Sequence, residues 1–227
     1  STNWDIVMYV PELPAPGETV PGGTLQSGLG GKGANQAVAA HRAGGAKTLF
    51  ISCIGDDDIS LSVKQVFEQM GLAVPHVHSV EGVGTGSACI FVNSSGENCI
   101  GIASGANAHV TPALIEANES LIVDAGIVLC QLEIPMETVL RVADMCRNAG
   151  TIFVLNPAPA QMLSDDLLKN IDILTPNEIE LAQLSGMDTD SVADIESAAR
   201  SLCEKGVGTV IATLGADGCL IVNKEHV

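Results

Sequence analysis

Cations are scarce in this sequence: 10 lysines and arginines stand against 27 aspartates and glutamates, a formal charge of −17 over 227 residues. Nucleic-acid binding rests on lysine and arginine neutralising phosphates, so a surface this acidic argues against DNA or RNA as partners. Long apolar runs are missing as well. No stretch approaches the ~18 residues that a bilayer-spanning helix requires. The opening STNWDIVMYV has neither the basic flank nor the small-residue cleavage site of a signal peptide. The expectation is a soluble cytoplasmic protein with no membrane partner. Cysteine pairs are absent too: Cys53, Cys89, Cys99, Cys130, Cys146, Cys203 and Cys219 stand singly in apolar stretches, odd in number and without a CxxC. That pattern favours reduced, packed thiols. An anionic ligand is admissible only where backbone N–H groups or a rare local cation is aimed at it, so a phosphate site here must be glycine-rich rather than broadly basic.

What is present is apolar content, 46% of residues, enough to fill one core. Strand-length apolar runs recur at 48–54, 127–132, 152–155, 171–174, 210–214 and 219–222, and helical periodicity fits 33–43, 59–70, 112–121, 135–149, 177–185 and 191–205. Strands and helices in alternation imply right-handed crossovers and a largely parallel sheet covered on both faces. Two segments break the rhythm, 17–27 and 85–102. In the second, ACIFV and NCIGI flank the polar NSSGE and predict a β-hairpin. Together they point to a small accessory sheet whose apolar face either covers the mouth of a site or pairs with a second subunit. No repeat, low-complexity tract or linker divides the chain, so a single domain over 1–227 is expected.

The richest local signal is GLGGKGANQAVAA, where Gly28, Gly30, Gly31 and Gly33 crowd a turn that enters an alanine-rich helix. Glycines permit close backbone approach, and N–H groups at the start of that helix with Lys32 beside them suit an oxygen-rich ligand. It is not a nucleotide P-loop, because Gly33 follows Lys32 where Ser or Thr is required. Gly28, Gly30 and Gly33 do match GxGxxG, with Asp56 downstream, which keeps a nicotinamide-dependent oxidoreductase as an alternative. That fingerprint must follow a buried strand, however, and the preceding PGETVPGGTLQS is polar and turn-prone.

Several spaced motifs, read together, resemble the ribokinase-like family of carbohydrate kinases: GGKGANQA at 30–37, QLE at 131–133, NPAPA at 156–160, TPNE at 175–178 with Glu180 following, and TLGADG at 213–218. Order and spacing match along the whole chain, and the combination is nearer to ribokinase-type members than to fructokinase- or adenosine-kinase-like ones. The resemblance implies a three-layer αβα sandwich with a mostly parallel sheet and a small β lid. It also implies ATP-dependent phosphorylation of a pentose such as D-ribose, Mg²⁺ with the ATP, a monovalent cation (K⁺), and a homodimer formed through the lid.

Transferred residue by residue, the resemblance makes Asn3, Asp5, Gly31, Lys32, Asn35 and Glu133 the sugar site. Asn177, Thr213, Gly215 and Gly218 become the nucleotide site, and Glu180 supports the metal through water. STNWD is similar to the tail of the family's sugar signature, in which an Asn and an Asp stand two apart. Residues two apart in an extended chain share a face, so Asn3 and Asp5 point one way and Trp4 the other. Glu133 follows the apolar strand IVLCQLE, at the strand end where α/β sheets build crevices, although an acid before Pro135 also suits a helix start. Asn177 with Glu180 equally fits a helix N-cap.

The Asp56–Asp58 run reads as a solvated loop capping the next helix, His76 and His78 lack a third ligand and read as an exposed strand edge or loop, and Asn93 before Ser94 and Ser95 formally matches a glycosylation acceptor that a cytoplasmic chain does not use. The family's general-base aspartate, its anion hole and its monovalent-cation site map beyond Val227, and the strand that precedes STNWD is absent. The chain by itself is therefore expected to be catalytically feeble, with part of its sheet uncovered. A non-catalytic sugar- or nucleotide-binding remnant is the competing expectation.

Overall fold

The computed structural model describes residues 1–44 and 47–226, and the chain divides into two compact units, Ser1–Val110 and Thr111–Val227. The first unit runs through β1 (Asn3–Tyr9), β2 (Thr24–Gly30), α1 (Lys32–Ala43), β3 (Ser52–Gly55), α2 (Asp58–Gln69), β4 (Val77–Val80), β5 (Gly86–Val92) and β6 (Asn98–Ala103), and ends with a 3-10 turn at Gly105–His109. Four strands form one sheet in the order β2-β1-β5-β6, while β3 and β4 form a separate parallel pair. β1 lies antiparallel to β2 and parallel to β5, and β5 folds back antiparallel on β6.

The accessory sheet foreseen in the sequence is this four-stranded one, with corrected limits. Its first segment is Thr24–Gly30 rather than 17–27, because Pro21 has no N–H to donate and Gly22 turns the chain at φ +88° before a ladder can start. The hairpin loop is NSSGE as read: Asn93 Oδ1 accepts the N–H groups of Ser95 and Glu97 and its Nδ2 donates to Glu97, which closes the turn. Unforeseen were the length of β1 and its place inside the sheet; β4 holds His78, where a strand edge or a loop was expected. The run at 48–54 pairs only from Ser52 onward.

Alternation along β1 sends Trp4 into the core of this unit, with Leu29 of β2, against Ala34 and Ala37 of α1, Val63 and Phe67 of α2, and Phe50, Ile54 and Leu72. The Phe50 and Phe67 rings meet at 5.8 Å, tilted by 59°. Burying side chains of this size contributes about 2–3 kcal/mol each, which anchors the sheet to the two helices.

The second unit runs through α3 (Pro112–Glu116), α4 (Glu119–Val123), β7 (Ile127–Cys130), α5 (Met136–Ala149), β8 (Ile152–Leu155), α6 (Asp165–Leu168), β9 (Ile173–Leu174), α7 (Glu178–Ser185), α8 (Val192–Glu204), β10 (Thr209–Thr213) and β11 (Cys219–Asn223). β7, β8, β9 and β10 are parallel neighbours, and β11 returns antiparallel to β10. The single helix expected over 112–121 is two, because the Asn118 side chain takes the Leu114 carbonyl and competes with the backbone ladder. One sheet face carries Phe153, Leu155, Leu174, Val210, Ala212 and Val222, all buried. The other carries apolar side chains that meet water, in line with the expectation that part of the sheet is uncovered: Ile127 is 61% exposed and Ile221 51%, and Leu129 and Ile152 join them.

The thiols also divide. Cys53, Cys146 and Cys203 are buried, whereas Cys89, Cys99 and Cys219 are exposed, contrary to the expectation that all are packed. Burial pushes Cys130 up to about 12 and Cys146 up to about 11, so both are neutral, unreactive thiols near neutral pH. No helix among the described residues is long and apolar enough to cross a membrane.

Asp57 fastens β5 to the β3–α2 corner. Its Oδ1 accepts the Ser60 N–H as the N-cap of α2 and the Thr85 hydroxyl, and its Oδ2 accepts the Thr85 N–H at 2.7 Å. Burial raises its pKa, but the bonds from Thr85 and Ser60 outweigh that and hold it below the usual carboxylate value of 3.8. A depressed folded-state pKa gives stability that is present above the unfolded value and lost as pH falls through the folded one. Asp57→Ala should destabilise the protein by about 3 kcal/mol at pH 7, the sum of a lost cap and unpaired Thr85 donors. Urea titrations at pH 7 and at about pH 3 should show the variant's deficit shrinking in acid, and an equal deficit at both pH values contradicts this account.

Candidate functional site

In the first unit, five of the six sugar-site candidates gather where β2 passes into α1. Asn3 faces Gly30 across the β1–β2 ladder and Asp5 faces Gly28. Gly30 needs its bare Cα, because a Cβ there would occupy the place of the Asp5 carboxylate. Gly31 takes φ +88°, and a Cβ would stand 2.7 Å from the Asn3 nitrogen. Any other residue at 31 is therefore both strained and blocked. Lys32 opens α1 half-buried, and Asn35 lies exposed one turn on, with its N–H on the Gly31 carbonyl. Asn3 and Asp5 share a face and Trp4 takes the other, as strand alternation predicts.

One expectation about this turn fails. The first N–H groups of α1 do not await a ligand, since Gly33 donates to Ser1 Oγ at 3.0 Å and Ala34 to the Ser1 carbonyl at 2.8 Å. The residues just before β1 thus cap the helix, and the site is one of side chains rather than of a helix terminus. Asn3 is also deeper than a terminal polar residue suggests, at 3% exposed, with Oδ1 accepting from Asn107 Nδ2 at 2.7 Å. Sequence reasoning passed over Asn107. Its only signal was a polar residue in a run of small ones, SGANAH, and its partners lie more than a hundred residues away.

The dinucleotide alternative is overturned by topology. Gly28 and Gly30 lie inside β2, an edge strand antiparallel to its neighbour, whereas a dinucleotide turn follows a buried parallel strand.

In the second unit, the candidates sit on loops at the carboxyl ends of parallel strands. Glu133 follows β7 half-buried, its N–H donated to Gln131 Oε1 at 2.7 Å. Asn156 of NPAPA ties strand ends together: its N–H meets the Cys130 carbonyl and its Nδ2 the Thr175 carbonyl at 3.0 Å. Asn177 and Glu180 form a reciprocal capping box at the start of α7. Asn177 Oδ1 accepts the Glu180 N–H at 2.7 Å, and Glu180 Oε2 accepts the Asn177 N–H at 2.9 Å. Thr213 bridges to Asn177, with its N–H on the Pro176 carbonyl at 2.9 Å.

Beyond Thr213 the chain makes a 3-10 turn, Gly215–Asp217, with positive φ at Gly215 (+57°) and Gly218 (+94°), closed by the Leu214 N–H on the Gly218 carbonyl. Asn177, Glu180, Thr213, Gly215 and Gly218 therefore occupy two adjoining loops past β9 and β10. Such a surface, with small residues and helix-start N–H groups, suits phosphates approaching the backbone. No group of three His, Cys, Asp or Glu among the described residues is arranged to hold a metal ion. Glu180 still has its second oxygen, Oε1, beyond the capping box, which fits contact with a metal through water.

Comparison with known proteins identifies the family and the fold. The model of the pfkB family of carbohydrate kinases matches residues 1–227. A ribokinase of Haemophilus influenzae is 46% identical over 227 residues, covering 99% of this chain and 73% of that protein. A deoxyribokinase of Salmonella typhi is 35% identical over 223 residues, covering 98% and 72%. Among solved structures, Arabidopsis thaliana ribokinase complexed with ribose and ATP superposes with a TM-score of 0.92 at 32% identity, over 100% of this chain and 74% of that one. The ribokinase-like α/β fold is thereby shown.

Proposed function

Because the chain belongs to the pfkB family of carbohydrate kinases, we propose that it transfers the γ-phosphoryl group of ATP to the primary hydroxyl of D-ribose, yielding ribose 5-phosphate. The observation that carries the reading is the Gly30–Gly31 turn closing on β1, which leaves room beside it for the Asp5 carboxylate and none for any other side chain. A carboxylate accepts from two neighbouring hydroxyls at once, and bonds to a charged acceptor are the stronger kind. In this reading Asp5 accepts from two adjacent hydroxyls and Asn3 donates to one of them, Lys32 donates to an oxygen from the start of α1, Asn35 reaches from its first turn, and Gly31 admits the sugar close to the backbone. Glu133, in the second unit, is assigned to the sugar on the family resemblance. The residues of 1–227 act as one kinase domain whose lid is the four-stranded sheet.

ATP is assigned to the loops of Asn177, Thr213, Gly215 and Gly218. Magnesium, when bound with the nucleotide, offsets phosphate charge as it builds at the transferring group. Of the described residues, Glu180 would meet it through water. The protein's own contribution is to orient and to exclude water: a sugar hydroxyl held in line with the terminal phosphate reacts as if at very high local concentration. A monovalent cation, K⁺, belongs to the proposal as well. So does a cytoplasmic setting, which supplies ATP and keeps the seven cysteines as thiols.

The lid supports a dimer. Ladder register puts Asp5, Val7, Tyr9, Ile90, Ile100 and Ile102 on one face, and Ile6, Met8, Leu25, Phe91 and Cys99 on the other. Leu25 is 59% exposed and Ile100 52%, so each face carries apolar surface that remains in water. A second copy laid against the lid would cover it.

Two measurements test the reading. On the intact protein, calorimetry with D-ribose and a coupled assay of ADP release should show ribose-dependent turnover. Asp5→Ala should lower kcat/KM for ribose about 100-fold or more, the cost of two charge-assisted bonds, with the KM for ATP nearly unchanged. Ribose binding without ADP release would support the non-catalytic remnant instead. Sedimentation velocity at micromolar concentration should show a dimer that Leu25→Glu converts to monomer; a wild-type monomer throughout would remove the lid from the interface.

A further inference from the structure

Asn107 lies in the turn Gly105–His109 and is 1% exposed. Its amide is satisfied atom by atom: Oδ1 accepts the Thr2 N–H at 2.8 Å, while Nδ2 donates to the Thr2 carbonyl at 3.1 Å and to Asn3 Oδ1 at 2.7 Å. The two bonds to Thr2 decide which end of the Asn107 amide is which, because a peptide N–H needs an acceptor and a carbonyl needs a donor. With that orientation fixed, Asn107 offers Asn3 a donor, and Asn3 must turn its own oxygen toward it. The Asn3 Nδ2 donors are thereby directed away from Asn107.

Gly86 gives a second observation. A Cβ at residue 86 would collide with both Asn107 Nδ2 and Asn3 Oδ1, and would stand 2.8 Å from the Thr2 carbonyl oxygen. The two amides meet only because residue 86 has no side chain, and Gly86 is the ladder partner of Asn3 on β5.

We propose that Asn107 is a positioning residue that sets the hydrogen-bonding polarity of the sugar site, a role that rests on the sugar-kinase reading above. Asp5 when ionised offers only acceptors. With Asn3 held to present donors, the β1 pair offers one of each, and a sugar hydroxyl can give its proton to Asp5 while accepting one from Asn3. Were the Asn3 amide turned over, both side chains would present acceptors to a hydroxyl that has a single proton. One bond would then be lost and one acceptor left unpaired.

Asn107→Asp tests this with little change of shape. It keeps an acceptor for the Thr2 N–H, gives up the donor to the Thr2 carbonyl, and presents a second acceptor to Asn3, whose amide then turns over to donate to it. KM for D-ribose should rise about tenfold, more than kcat falls, with the KM for ATP unmoved. The double variant Asn3→Ala/Asn107→Asp should bind ribose no worse than Asn3→Ala alone. If the two losses multiply instead, Asn107 acts independently of Asn3 and the proposal is overturned. Should Asn107→Asp fail to fold, Gly86→Ala carries the same prediction, because its methyl group forces the amides apart.

A readout without sugar separates this idea from the functional reading beneath it. Hydrogen exchange of the Asn107 side-chain amide should be slow in the wild type and faster in Asn3→Ala; equal rates overturn the clasp even if the protein phosphorylates ribose. Coupled exchange in a wild type that takes no D-ribose would instead defeat the sugar reading and reduce Asn107 to a structural bond.

Discussion

The approach of the Gly30–Gly31 turn to the backbone and carboxylate of β1 is the constraint on which the first unit depends. A side chain at 30 would displace Asp5, and one at 31 would both strain the chain at φ +88° and press on Asn3. Because the turn is that tight, α1 starts at Lys32 directly beside the strand, and Ser1 reaches the helix to cap it. Asn3, Asp5, Lys32 and Asn35 are thus brought to one place by two glycines that supply no chemistry themselves. Strand alternation then fixes the reverse side, where Trp4 and Leu29 pack on α1 and α2 and hold the sheet to the core.

Polar burial around this turn is tolerated because it is matched. An unpaired buried amide costs about 1–3 kcal/mol, and Asn107 leaves neither of its ends, nor the Thr2 peptide, without a partner. Asp57 does the same for Thr85 at the entrance to β5. Both clamps act on β5 or on the residues preceding β1, so the strands of the four-stranded sheet are positioned by hydrogen bonds at their base and left apolar and exposed toward Leu25 and Ile100. In the second unit the division of labour is similar: capping at Asn177 and the tie from Asn156 shape the loops past parallel strands, while Phe153, Leu155 and Val210 fill the core beneath.

Much of this was legible in the sequence where the signal is local. Periodicity located α1, α2, α5, α7 and α8 to within a residue or so, because each buries one stripe of apolar side chains, and the alternation of Asn3, Trp4 and Asp5 stated which way each would face. What escaped is non-local. Nothing in STNWDIVMYV tells that β1 lies between β2 and β5, or that Ser1 would consume the helix N–H groups offered by GGKGAN. Asn107 is invisible for the same reason, since its partners Thr2 and Asn3 are set beside it only by the fold. The exposed Cys89 and Cys99 were misread because a cysteine in an apolar run looks packed when the run belongs to a sheet with one side open to water.

The central claim is that the β1 pair and the glycine turn form one sugar site. Its most direct test is a crystal structure of the intact protein grown with D-ribose. The account predicts ribose hydroxyls within hydrogen-bonding distance of the Asp5 carboxylate and of Asn3 Nδ2, with Gly31 at its back. Ribose bound elsewhere, with Asp5 in contact only with protein, would contradict it.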